Sequence, residues 1–367
     1  MNVLQLISSG GYYGAENVIV SLAESLERQH CRSVIGVFQN THQQNEELIR
    51  HAERRGLTVH QIACRGRWDW SAARRIRKEL KSLKIDLLHT HGYKADIYGF
   101  VASRSLGLPI VSTCHLWTHQ TLAVRLYDFL DSMFLRQFDA VVAVSGAIAK
   151  SLHQSGIRKS KICVIDNGID LLQFSRARAT LRERMTNEQR LIVGTVGRLV
   201  AQKGMEYFLL AARAVLSDFP NVVFVVIGAG PDREKLEHLT RELAIEPNVF
   251  FAGHCSDMPG AYASMDVFVL ASIDEGMPMA ILEALASKKA VVATCVGAVP
   301  RLIIPDKTGL LIAPRDVAAL KQAVLKLLND SSLRSQLGAA GEILVNRSHS
   351  HETMARNYLR VYERIAN

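Results

Sequence analysis

Short runs of Val, Ile and Leu recur along the chain, separated by longer stretches with helical apolar spacing. The first half carries such runs at 3–7 (VLQLI), 33–38 (SVIGVF), 86–91 (DLLHTH), 110–115 (IVSTCH), 139–145 (DAVVAVS) and 161–166 (KICVID). The second half carries them at 191–197 (LIVGTVG), 222–228 (VVFVVIG), 248–253 (NVFFAG), 266–272 (DVFVLAS), 290–295 (AVVATC) and 309–314 (GLLIAP). Short, continuously apolar runs fit strands buried on both faces, with amphipathic helices covering them. The alternation predicts βαβ units and mostly parallel sheets.

The pattern breaks once, at 167–190 (NGIDLLQFSRARATLRERMTNEQR), which is polar, charged and rich in turn residues. This predicts a domain junction, and so two Rossmann-like α/β domains in tandem, facing a central cleft. Ligands of such sheets bind at the carboxyl ends of the strands, so the residues just after each strand matter most.

The chain of 367 residues is long enough for two ordinary cores. Its net charge of +9 is unevenly placed: residues 1–180 hold 23 Lys and Arg against 15 Asp and Glu, and the remainder 21 against 20. A basic half suits a phosphate-bearing ligand or an anionic surface, although basic surfaces are also common for solubility alone. The six cysteines are scattered without a CxxC pair, which argues against a zinc site and for reduced thiols. The start of the chain lacks a signal-peptide pattern, and no run approaches the ~20 apolar residues of a membrane span, so a cytoplasmic location is expected.

Several segments after predicted strands could carry chemistry. GGYYGAE (10–16) has Gly10, Gly11 and Gly14 where a backbone could pass close to an anion and enter a helix. Its spacing is not that of a dinucleotide fingerprint, and a plain tight turn is the simpler alternative. GRLVAQKG (197–204) places Arg198 and Lys203 after a strand, a planar fork and a point charge suited to a diphosphate. For that pair alone, a solvated basic loop would be preferred. IGAGPDREKL (227–236) reads as little more than a turn.

DEGMPMAILE (274–283) holds Glu275 and Glu283 eight positions apart. Pro278 is expected in the first turn of the helix, where its missing N–H costs nothing. The backbone N–H groups around Met277 to Ala280 would offer an anion site at the helix mouth, making Gly276, Met277, Pro278 and Met279 candidate donor-binding positions, and an ionised carboxylate accepts hydrogen bonds from sugar hydroxyls. Two acids flanking a phosphate site suit a nucleotide-sugar. The plainer reading has Glu275 favouring the helix dipole and Glu283 paired with a lysine. His115, at the end of IVSTCH, is a candidate substrate contact. His89 and His91 are more simply structural.

Taken together, GGYYGAE, DLLHTHGYKA, TCH, VAVS, DNGID, GRLVAQKG, VIGAGP and SIDEGMPMAILEALA resemble the family-4 retaining glycosyltransferases of the GT-B fold, over nearly the whole chain. The last motif is that family's pair of acids with seven residues between them. The resemblance implies an acceptor-binding domain at 1–170, joined by a C-terminal helix at about 351–367, and a nucleotide-sugar-binding domain at 171–350. Arg198 and Lys203 would bind the diphosphate, Glu283 the ribose, Glu275 the transferred sugar, Gly11 the diphosphate from the first domain, and His115 the sugar. The donor would be a nucleotide-sugar, with UDP favoured, and the acceptor a glycan or lipid-linked species in cell-surface polysaccharide or lipopolysaccharide synthesis. No metal or other cofactor is expected, because two cations and helix amides can neutralise the departing diphosphate. The chain departs from the family pattern in VGAVPR, where Arg301 stands in place of an acid.

The segments 65–84 (RGRWDWSAARRIRKELKSLK) and 116–138 (LWTHQTLAVRLYDFLDSMFLRQF) combine aromatic residues with helical periodicity, and the first is strongly basic. They make an anionic membrane surface a candidate partner, with ordinary packing on the first sheet as the alternative. Nucleic-acid binding lacks a stacking platform or recognition helix. A nucleotide-sugar epimerase and a non-catalytic nucleotide-sugar-binding subunit are the competing functional classes.

Overall fold

A computed structural model describes residues 1–8, 14–39, 46–66, 69–115, 131–182 and 190–366. The chain forms two compact units, Met1–Gly168 with His351–Asn367, and Ile169–Ser350.

In the first unit the strands are β1 (Asn2–Ile7), β2 (Arg32–Gln39), β3 (Val59–Ala63), β4 (Leu87–His91), β5 (Ile110–Cys114), β6 (Ala140–Ala143) and β7 (Ile162–Val164). They form a parallel sheet in the order β3-β2-β1-β4-β5-β6-β7. In the second unit β8 (Leu191–Val196), β9 (Val222–Ile227), β10 (Val249–Gly253), β11 (Val267–Leu270), β12 (Ala290–Thr294) and β13 (Leu310–Ile312) form a parallel sheet in the order β10-β9-β8-β11-β12-β13. Both orders are doubly wound, with a switch point between β1 and β4 and between β8 and β11. The expected parallel α/β fold is therefore observed.

Every residue of Val222–Ile227 and Val267–Leu270 is buried, as strands covered on both faces require. In the second unit Phe208 and Leu209 from the helix Met205–Leu216, and Val324 and Leu327 from the helix Val317–Asn329, pack against Val193, Phe224 and Val269. Helices start where short polar side chains can take an orphan amide. Ser145 accepts from Ile148 N at 3.2 Å, Asp316 from Ala319 N at 2.8 Å and Asp330 from Leu333 N at 2.8 Å.

Strand β3 has no counterpart among the runs read from the sequence. Its residues, VHQIA, set two polar side chains within a five-residue strand, and it lies at the sheet edge with only Ile62 buried. The helix Leu171–Ser175 lies within the stretch expected as a junction, and Asp170 caps it through Gln173 N at 3.2 Å. The helix His351–Ala366 belongs to the first unit, where Met354, Ala355, Tyr358 and Tyr362 are buried.

Candidate functional site

The second unit's switch point is built by two loops that are stitched together. The loop after β8 is tied to the end of β9 by Gly197 N to Ile227 O (3.0 Å) and Leu199 N to Ala229 O (3.0 Å). Its far end, a short turn over Ala201–Lys203, is tied to the loop after β11 by Ile273 N to Gln202 O (2.8 Å) and by Gln202 Nε2 to Asp274 O (3.1 Å). Gly204 closes the turn at φ +62°, and a Cβ there would lie 2.1 Å from Ala271 O. Only glycine satisfies both the left-handed backbone and this approach.

That stitching delivers Lys203 to Glu275. Lys203 Nζ is 2.6 Å from Glu275 Oε1, and Ser272 Oγ donates to the same oxygen at 2.6 Å. The Glu275 side chain is 6% exposed and that of Lys203 24%, so the pair is largely shielded from water. Shielding of this degree makes it stronger than a surface ion pair. From below, the turn at Gly297 presses on the backbone of Glu275. Gly297 has φ +53°, a Cβ on it would come within 1.8 Å of Glu275 O, and Ala298 N donates to Gly276 O at 3.1 Å.

Pro278 stands one position ahead of the helix Met279–Ala286, with ψ 113°, rather than inside its first turn as expected. The residue before a proline avoids helical geometry, and here the proline itself stays extended and makes the entry into the helix. Met277 and Met279 are buried and wall this entry. Glu283, one turn further on, is also buried, and burial pushes its carboxyl up to about 7. The Tyr262 hydroxyl lies beside it, outside the geometry of a good hydrogen bond, and opposes that rise only in part. Arg198 is exposed on the loop after β8.

Lys203, Glu275 and the Gly276–Met279 segment thus come together, with Arg198 on the same loop as Lys203 and Glu283 on the adjoining helix. His115 belongs to the first unit, directly after β5, and Gly11 lies outside the described residues. His115 Nε2 is 3.2 Å from His91 Nδ1, and the two rings stack with centroids 5.5 Å apart. Burial holds the His115 imidazole down at about 4. His91 and His89 are buried with both ring nitrogens hydrogen-bonded. Ser272, Gln202 and Tyr262 were not singled out from the sequence. Ser272 had a usable signal: a hydroxyl at the carboxyl end of a buried strand, three residues before a site acid.

No group of three or more His, Cys, Asp or Glu among the described residues has the arrangement of a metal site. No helix among them is long and apolar enough to cross a membrane.

Two doubly wound parallel sheets, one with a cation–carboxylate pair at its switch point, define a protein of the GT-B class. Residues 178–343 match the model for glycosyl transferases group 1, and residues 12–172 match that for Glycosyltransferase Family 4. The chain is 29% identical over 269 residues to the UDP-Gal:alpha-D-GlcNAc-diphosphoundecaprenol alpha-1,3-galactosyltransferase of Escherichia coli, covering 70% of each. It is 27% identical to the N,N'-diacetylbacillosaminyl-diphospho-undecaprenol alpha-1,3-N-acetylgalactosaminyltransferase of Campylobacter jejuni, over 79% of this chain and 80% of that one. Its fold superposes on Anabaena HepE, solved with UDP and glucose, with a TM-score of 0.88 at 20% identity, over 98% of this chain and 99% of that one. The chain belongs to the family-4 glycosyltransferases of the GT-B fold.

Proposed function

We propose that this glycosyltransferase is a retaining, metal-independent hexosyltransferase that moves a sugar from a nucleotide-sugar, a UDP-sugar first among them, to a glycan or lipid-linked acceptor in cell-surface polysaccharide or lipopolysaccharide synthesis. The observation that carries the reading is the Lys203–Glu275 contact of 2.6 Å at the switch point between β8 and β11. It sets a cation and a hydroxyl-accepting carboxylate side by side where such sheets bind ligands. Two relatives, by their names, act on diphosphoundecaprenol-linked acceptors, and a structural neighbour was solved with UDP.

In this reading Lys203 and Arg198 hold the donor diphosphate and stabilise the charge that develops as the nucleoside diphosphate departs. The amides of Gly276, Met277 and Met279 add to that field at the start of the helix. Glu283 accepts from the ribose hydroxyls, and Glu275, steadied by Ser272, accepts from the transferred sugar. His115 is the first unit's contact to that sugar. The acceptor hydroxyl attacks on the side the diphosphate leaves, and the leaving phosphate takes its proton, so the configuration at the anomeric carbon is kept. The charge that a divalent ion would otherwise neutralise falls to the two cations. The basic first unit is the acceptor side, working at the cytoplasmic surface of an anionic membrane.

A thermal-shift panel with UDP, GDP and ADP in EDTA, on wild type and Glu283→Ala, tests this. UDP at 100 times its dissociation constant is expected to stabilise the wild type by about 2.7 kcal/mol, and the variant clearly less. Stabilisation by none of the three, or an equal response in the variant, overturns the donor site.

A further inference from the structure

A row of polar side chains crosses one face of the first sheet at its switch point. Gln5 on β1, His89 and His91 on β4, Thr113 on β5 and His115 just after it follow the two-residue period of strands. Register pairs Gln5 with His89 and His91 with Thr113. Tyr358 and Tyr362 of the helix His351–Ala366 complete the row. The Tyr362 hydroxyl lies 2.7 Å from His89 Nδ1 and 3.4 Å from Gln5 Nε2. Gln5 Oε1 lies 2.8 Å from His91 Nε2, and His91 Nδ1 lies 3.2 Å from His115 Nε2.

With the Gln5 amide nitrogen toward Tyr362 and its oxygen toward His91, these bonds run in one consistent direction. The Tyr362 oxygen has two lone pairs, so it can accept from the Gln5 amide whichever way the hydrogen of its contact with His89 Nδ1 runs. In that orientation Gln5 Oε1 faces His91. An amide oxygen only accepts, so His91 carries its hydrogen on Nε2. Burial holds His89, His91 and His115 below the ordinary imidazole range, so each is neutral near pH 7 and carries one hydrogen. His91 Nδ1 is therefore bare and accepts from His115 Nε2–H, which leaves His115 Nδ1 bare as well. With Gln5 turned over, its amide would donate to His91 Nε2 and every later direction would reverse.

We propose that Gln5 and His91 are positioning residues that lock His115 as its Nε2–H tautomer, so that Nδ1 is presented as an acceptor for a hydroxyl of the bound sugar. The tautomer follows from the orientation of the Gln5 amide, and the ligand rests on the glycosyltransferase reading. A bare nitrogen welcomes a hydroxyl donor and repels a carboxylate, so the row biases the site toward neutral sugars at that contact.

Two-bond proton–nitrogen correlation spectra of the full chain with nitrogen-15 histidine test this, with His115 assigned by its loss in His115→Ala. The wild type is expected to show His115 with its proton on Nε2. Gln5→Met, which removes the fixed acceptor, is expected to give a mixture of tautomers, and Gln5→Glu, which keeps an acceptor oxygen, to restore the single form. A proton on Nδ1 in the wild type overturns the proposal, and so does an unchanged single tautomer in a folded Gln5→Met. If Gln5→Met does not fold, the wild-type spectrum decides alone. UDP-glucose, but not UDP, is expected to shift His115 Nδ1, and UDP-glucose that binds by thermal shift without moving it overturns the hydroxyl contact. Failure of every nucleotide to bind counts against the donor reading, while the tautomer spectra still decide the role of Gln5 and His91.

Discussion

Lys203 Nζ and Glu275 Oε1 meet at 2.6 Å although 72 positions separate the residues in the chain. A backbone bond from Ile273 N to Gln202 O, and the Gln202 side-chain amide on Asp274 O, set that distance by joining the two loops. Removing the cation leaves a carboxylate in a shielded site, with the Ser272 hydroxyl as its side-chain donor among the described residues. Lys203→Met is therefore expected to destabilise the protein by about 1–3 kcal/mol. That is less than the ~3–5 kcal/mol for breaking a fully buried pair, because the lysine keeps some contact with water. Urea unfolding measures the loss, and a change below ~0.5 kcal/mol would mean the pair is no stronger than an exposed one.

Gly297→Ala acts on the same acid through the backbone. The added methyl would lie 1.8 Å from Glu275 O on a residue with φ +53°, so the turn must move. Strain at such a position costs of order 1–3 kcal/mol before the clash is counted. A loss of more than about 2 kcal/mol is expected, with nucleotide binding weakened as Glu275 and Gly276 shift. Thermal melts with and without UDP measure both effects, and an unchanged melting temperature would contradict the close approach.

The parallel sheets were legible because continuous apolar runs are local signals, and Lys203 and Glu275 could each be singled out as charges just after such runs, but their meeting across 72 positions could not. Strand β3 was not legible, since an edge strand with His60 and Gln61 in it carries no continuous apolar run. The position of Pro278 was missed by one residue, because its ring suits the extended entry as well as the first helical turn. Tyr262 beside Glu283, and Tyr358 and Tyr362 beside Thr113 and His89, were beyond reach. Those contacts join segments far apart in sequence, and no local periodicity records which tyrosine meets which acid or imidazole.

Glu283 gives a pH signature. Its folded-state carboxyl titrates at about 7, above its ordinary value near 4.5, so between those values the folded state holds a proton that the unfolded state has lost. The stabilisation from this group is complete below pH ~4.5 and is lost as pH rises through about 7. Against Glu283→Gln, the wild type is expected to lose about 2–4 kcal/mol over that window and to run parallel above it. Melting temperature against pH for the two proteins measures this, and parallel curves throughout would show that the carboxyl titrates normally.

The three imidazoles of the first sheet act with the opposite sign. His89, His91 and His115 are held below the ordinary range, so as pH falls below ~6.5 the unfolded chain gains protons that the folded state refuses. Their stabilisation is present above pH ~6.5 and is lost as pH falls toward 4, at up to about 1.4 kcal/mol per imidazole per pH unit. His89→Gln keeps a polar side chain and removes one titration. It is expected to flatten acid destabilisation in that window, whatever it costs at pH 8. An equally steep acid limb in the variant would show that His89 takes up a proton in the fold.

The helix Ser71–Ser82 divides its faces cleanly. Ala72, Ala73, Ile76 and Leu80 are buried, while Arg74, Arg77, Lys78 and Lys81 are exposed, with Trp70 exposed by 52% at the helix start. Arg75 is held back by Asp69 at 3.1 Å and by Ala63 O at 2.7 Å, which anchors the helix and leaves the other cations to solvent. Packing on the first sheet accounts for the apolar face but not for the four like charges beside an exposed indole. Each cation near an anionic bilayer contributes about 1 kcal/mol, and the attraction fades within a Debye length of ~10 Å at 0.1 M salt. Flotation is expected to recover the protein with vesicles containing phosphatidylglycerol but not with neutral ones, and 0.5 M salt to release most of it. Arg77→Glu with Lys78→Glu, both on the exposed face, is expected to lower recovery at least tenfold with little change in melting temperature. Equal recovery with neutral and anionic vesicles, or none with either, would assign this face to solubility alone.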